Sequence, residues 1–143
     1  MSRDATVLRV SEIGRLTEAV REFAVARDWE QFHKPKNLAM ALGGEVGELL
    51  AELQWLTEDE IRDGLQVGEP LRARVEDELG DVFLYVARFA DVCGIRLADV
   101  AWAKLARNET RYPISKVRGR SEKYSRLSNP PDEPELSRRE ESW

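Results

Sequence analysis

The chain has 143 residues, a formal charge of −5 at pH 7, one cysteine and one histidine. Its length suits one domain with a tail, and its acidic balance excludes the indiscriminate attraction to a nucleic acid polymer that a basic chain would show. One cysteine excludes an internal disulfide framework and a cysteine-rich zinc site.

In chain order the expected elements are all helices. From about Val10 to Asp28, Ile13, Leu16, Val20, Phe23 and Ala24 recur at helical spacing, with Ser11 as the expected N-cap. The polar, aromatic stretch Trp29 to Lys36 follows, and Pro35 disfavours helix at Lys34, so a structured connection is predicted there. Asn37 is the expected cap of a second helix that runs to about Trp55. Thr57 to Glu60 reads as a capping box opening one short turn of helix, which Gly64 ends. Pro70 suits the first turn of a third long helix, which places Leu71, Val75, Leu79, Val82, Val86 and Phe89 on one side. Gly94 stops that helix. Cys93 lies near its end beside Phe89, Ala90 and Val92, so it is expected to be buried packing. A fourth long helix covers roughly Leu97 to Arg111, closed by Pro113.

The domain is therefore drawn over residues 1–115, followed by a basic extension over 116–126. Residues 127–143, rich in Ser, Arg, Pro and Glu, are expected to be a disordered tail. Met1 to Val10 lacks a continuous apolar stretch and no run is long enough to span a bilayer, so no signal peptide, no membrane association and a cytoplasmic location are expected.

The chemistry is concentrated in two acidic rows. Glu45 and Glu48 on the second helix are three residues apart, as are Glu78 and Asp81 on the third, so each pair projects in one direction. Glu52 extends the first row by a turn. Like charges at this spacing cost a helix about 0.2–0.5 kcal/mol per pair. A single such row commonly does no more than solvate an exposed face. Here both rows lie in strongly apolar helices, and each has a glycine between its acids, Gly47 and Gly80, where alanine would favour helix by about 1 kcal/mol. Glycine there permits either a close helix approach or access by a ligand. A short connection makes the two helices antiparallel neighbours, which gathers four carboxylates in one cleft. Such a cluster stays ionised only with cations present. An all-oxygen set suits Mg²⁺, with Mn²⁺ as a substitute, rather than zinc. A di-iron site of Glu-x-x-His type is excluded, because the one histidine, His33, lies outside both rows.

The Glu-x-x-Glu, spacer, Glu-x-x-Asp pattern resembles the metal site of the MazG-like all-α NTP pyrophosphohydrolases. Arg27 to His33, Pro35, Asn37, Gly44 to Leu49, Gln54-Trp55, Asn108, Arg111 to Pro113 and Lys123-Tyr124 extend the resemblance toward the dCTP pyrophosphatase branch, over roughly Arg27 to Tyr124. At one position the sequence departs, with Val20 standing where dCTP-type members carry a histidine. The spacer between the acidic pairs is also long for the family.

The resemblance implies an all-α, four-helix-bundle-like fold completed by oligomerisation, as a homodimer or tetramer. It implies Glu45, Glu48, Glu78 and Asp81 as metal ligands, and Trp29, Glu30, Gln31, Phe32, His33, Trp55 and Tyr85 as nucleoside contacts. Lys104, Asn108 and Arg111, on one face of the fourth helix, match positions facing the phosphates. These roles agree with the residue chemistry, since aromatic planes stack bases and cations neutralise phosphate. The expected reaction is cleavage of a nucleoside triphosphate to the monophosphate and pyrophosphate, with Glu48 or Glu52 taking the water's proton. Two rivals are a dUTP-type or broad house-cleaning phosphohydrolase, and an inactive helical interaction module.

Overall fold

A computed structural model describes residues 3–121, with side chains from Glu12 onward. The expected tail over 127–143 and the Lys123-Tyr124 segment lie outside the described residues. All regular structure within them is helical: α1 (Arg3–Val25), α2 (Pro35–Leu53), α3 (Glu58–Gly64), α4 (Pro70–Val92), α5 (Leu97–Arg111) and the short α6 (Ile114–Val117). The chain divides into two units, with the boundary after Ala101 and thus inside α5.

Helix α1 begins seven residues before Val10, so Ser11 lies within the helix and does not cap it. Its end is set by Asp28, whose φ of 55° is left-handed. Trp29 N–H donates to the Ala24 carbonyl (3.0 Å) and Asp28 N–H to that of Val25 (3.0 Å). These two bonds form a Schellman closure with aspartate in the position glycine usually takes. Aspartate tolerates it because its short polar side chain is among the few that visit this conformation. Helix α4 ends by the same device. Gly94, at φ 64°, donates to the Asp91 carbonyl (3.0 Å), and Ile95 to that of Ala90 (2.8 Å).

Helix α2 starts at Pro35, preceded by extended Lys34, and Asn37 is not its cap. Proline fits the first helical position because the missing N–H would have no partner there. Asn37 Nδ2 instead donates back to the Phe32 carbonyl (3.0 Å), bracing the connection. The capping box of α3 is complete, with Glu60 N–H donating to Thr57 Oγ1 (3.3 Å) and Thr57 N–H to Glu60 Oε2 (2.7 Å). Gly64 ends α3 and also permits close packing, since a Cβ there would lie 2.6 Å from Leu71 Cδ2.

In the first unit α4 is the common partner of α2, α1 and α3. Glu45 approaches Glu78 and Asp81, while Glu52, further along α2, pairs with Arg74, earlier on α4. The two helices are therefore antiparallel. Ala24, Leu38, Leu71, Val75, Ala87 and Ala90 are buried. Leu79, expected on the packed side of α4, is exposed, as are Met40, Leu50 and Phe83. Cys93 is exposed rather than buried, because it follows the last turn of α4 and leaves its apolar face.

One polar group lies among these apolar residues. Arg88, 5% exposed, donates through Nη1 to Asp91 Oδ2 (2.6 Å). Arg21 of α1 reaches the same carboxylate through Nε (3.1 Å to Oδ2) and Nη2. The Arg21 hydrogen bond is the main cause that holds the Asp91 carboxyl below its ordinary value, against desolvation, with both guanidinium charges assisting. Since that value is depressed, the contribution is present at neutral pH and is lost only as pH falls below about 3.8. Asp91→Ala leaves Arg88 buried without its counter-charge and should cost about 3 kcal/mol at pH 7, measured by urea denaturation. Thr57→Ala, which removes only the cap of α3, should cost about 1 kcal/mol in the same assay.

Candidate functional site

The antiparallel packing of α2 and α4 brings Glu45, Glu78 and Asp81 together, each offering a carboxylate oxygen within 4.8 Å of the others. Helical spacing puts Glu78 and Asp81 on one face, and the packing presents Glu45 to them. Glu48, exposed, is outside this set, yet its charge reaches Glu45 and Glu78. Both of those acids are held above the ordinary carboxylate value, first by desolvation and then by the neighbouring carboxylates. Glu78 Oε2 is buried and has no hydrogen-bond partner among the described residues.

An orphaned buried oxygen amid like charges is costly unless a cation satisfies it. The donor set fits a hard divalent ion, because it offers only carboxylate oxygens. A Cβ at Gly47 or Gly80 would meet nothing within 4 Å, so neither glycine serves close packing among the described residues, and both leave the acids accessible. Glu52 is engaged elsewhere, its Oε2 accepting from Arg74 Nε (2.6 Å).

Asp81 also lines a largely apolar cavity of about 380 Å³, walled by Val20, Phe23, Trp29, Leu84 and Tyr85 and bounded by His33 and Arg88. The Schellman turn at Asp28 delivers Trp29 to this wall, with its ring edge-on to Phe23 (5.7 Å) and His33 (6.2 Å). Arg27 caps the outside of Phe23, its guanidinium carbon 3.5 Å from the ring centre. Arg88 Nε donates to His33 Nδ1 (3.0 Å). Desolvation, then the Arg88 charge, lowers the histidine's proton affinity, with Glu30 opposing.

The remaining residues expected at the site are placed differently. Gln31 braces the loop, donating to the Asp28 carbonyl and carboxylate (2.9 Å each). Glu30 and Phe32 are exposed and do not line the cavity. Neither does Trp55, 86% exposed. Lys104, Asn108 and Arg111 lie on α5 beyond Ala101, in the second unit.

Sequence reading missed the Arg21, Asp91 and Arg88 group and the roles of Phe23 and Leu84. A signal for the first existed, an arginine inside the apolar run Val86 to Ala90 with an acid three residues on.

Comparison with known proteins places this geometry. Residues 33–115 match the MazG nucleotide pyrophosphohydrolase domain. The chain is 45% identical over 107 residues to human dCTP pyrophosphatase 1, and 43% to the Bos taurus protein of that name, in each case over 74% of this chain. It spans 62% of the length of those relatives. Its structure is similar to the crystal structure of a pyrophosphatase from Archaeoglobus fulgidus, with a TM-score of 0.65 and 35% identity, covering 71% of this chain and 93% of that one. With more than half of the chain matched to the family's domain and the acid cluster inside the matched region, the chain belongs to the MazG nucleotide pyrophosphohydrolase family.

Proposed function

We propose that this chain is a magnesium-dependent nucleoside triphosphate pyrophosphohydrolase, acting on dCTP or a modified pyrimidine nucleotide to give the monophosphate and pyrophosphate. The observation that carries this reading is the sharing of Asp81 between the carboxylate cluster and the aromatic cavity. A nucleotide with its base in the cavity then has its phosphates beside the cluster. Relatives named dCTP pyrophosphatase 1 support a cytosine base, while Val20 gives the wall an apolar surface that accommodates a substituent on the ring.

Glu45, Glu78 and Asp81 would hold the ion, with Glu48 completing the acidic rim. Bound there, a divalent cation neutralises phosphate charge and lowers the pKa of water. Trp29 and Tyr85 orient the base, and the cavity wall excludes water from it. Glu48 accepts the proton of the attacking water, in preference to Glu52, which Arg74 occupies. The water oxygen joins the α-phosphorus as the bond to the bridging oxygen breaks, and pyrophosphate leaves. Exposed Met40, Leu50 and Trp55 support a homodimer or tetramer in which a second copy covers this apolar surface. Trp55 would reach a nucleoside only across such an interface.

Pyrophosphate release from a panel of dCTP, dUTP, 5-substituted dCTP and the purine triphosphates tests the activity. Magnesium-dependent turnover, fastest on a cytosine nucleotide, is expected; no release from any of them excludes the reading. Trp29→Ala should weaken binding of a non-hydrolysable dCTP analogue about tenfold by calorimetry, because base stacking on an aromatic contributes about 1–3 kcal/mol.

Glu78→Gln tests the ion. Since its carboxyl is raised above 4.5, the native state binds the proton more tightly than the unfolded chain, and metal-free stability falls as pH climbs above that value. The variant should therefore melt higher than the metal-free parent at pH 7, an advantage that disappears toward pH 4.5. Magnesium should reverse the order, stabilising the parent by binding its native state and leaving the variant nearly unmoved.

A further inference from the structure

The Arg21, Asp91, Arg88 group ends on the one histidine of the chain. A guanidinium carries five donors and no acceptor, so in the Arg88 contact His33 Nδ1 can only accept. A neutral imidazole accepting at Nδ1 carries its hydrogen on Nε2. That nitrogen has no partner among the described residues and is not a buried unsatisfied atom. The ring it belongs to bounds the aromatic cavity.

We infer that Arg88 is a positioning residue which locks His33 in the Nε2–H tautomer, making the imidazole a fixed hydrogen-bond donor that reads an acceptor, a carbonyl oxygen or ring nitrogen, on the edge of the bound base. This rests on the reading of the cavity as the base site. Asp91 is the hinge of the device. It holds the Arg88 guanidinium through Nη1 at 2.6 Å, leaving Nε aimed at the ring, and Arg21 fixes Asp91 in turn from α1. Such a second partner is the usual means by which a histidine tautomer is set. Because Arg88 and Asp91 are nearly buried, the arrangement is built into the fold rather than assembled when a ligand arrives. An apolar wall holds any flat ring of suitable size. A fixed donor favours rings that present an acceptor at its position and leaves those without one unpaired against a polar group.

With a single imidazole in the chain, nitrogen-15 NMR of this 143-residue chain reads the tautomer without assignment. The parent is expected to show protonated Nε2 and unprotonated Nδ1 at pH 7, and the Nε2 signal should shift when α,β-imido-dCTP is added. Arg88→Met should give a mixture of tautomers and bind the same analogue about tenfold more weakly, the value of one lost hydrogen bond. Should that variant not fold, Arg21→Ala, made at a half-exposed position, should broaden the tautomer equilibrium in the same direction. An Nδ1–H tautomer or an even mixture in the parent overturns the proposal, as does an unchanged tautomer in the folded Arg88 variant. The parent tautomer is measured without substrate, so an Nδ1–H parent fails this proposal and leaves the activity untouched. A protein locked as Nε2–H yet inactive on every nucleotide fails the functional reading and, with it, the role of the histidine toward a base.

Discussion

Helix α4 repeats every 3.6 residues, and that period sets Glu78, Asp81, Tyr85 and Arg88 along one stripe. Two carboxylates come first, then an aromatic ring, then a buried cation. The elements packed against this stripe supply one complement to each position: Glu45 from α2 to the acids, Trp29 from the loop after α1 to the aromatic wall, and His33 to the arginine. A change in the register of α4 by one residue would carry all four away together, since each depends on the same helical face.

Two kinds of polar cluster on this helix meet opposite fates. At Arg88, opposite charges neutralise one another and the cluster contributes to folding. At Glu45, Glu78 and Asp81 like charges accumulate, and the fold leaves one oxygen without a partner. A structure that pairs the charges of the first cluster and leaves a buried oxygen of the second unpaired among the described residues has placed its deficit where an ion can remove it.

Much of this was legible beforehand. Helices announce themselves by period, and Pro70, the Thr57 to Glu60 box and Gly94 mark boundaries by local chemistry that tertiary packing does not alter. The acid spacing likewise fixes which carboxylates share a face. Other features turn on distance across the fold. Whether Asn37 caps α2 depends on the Phe32 carbonyl lying within reach of its amide, and whether Glu52 is free depends on Arg74, twenty-two residues away. The expected burial of Cys93 failed because its apolar neighbours are helical and it is the first residue past the helix. Glycine between paired acids left two explanations open, and only coordinates distinguish empty space from a tight crossing.

The left-handed residue at Asp28 has a consequence for mutational freedom. Val20, Phe23 and Leu84 occupy ordinary helical backbone, so exchanging them can reshape the cavity while the chain path stays fixed. Position 28 has no such latitude. A β-branched residue is a poor occupant of φ 55°, and relaxing it would swing Trp29 off the wall. Change in the shape of the cavity therefore has many routes through side chains and almost none through the turn that aims the tryptophan.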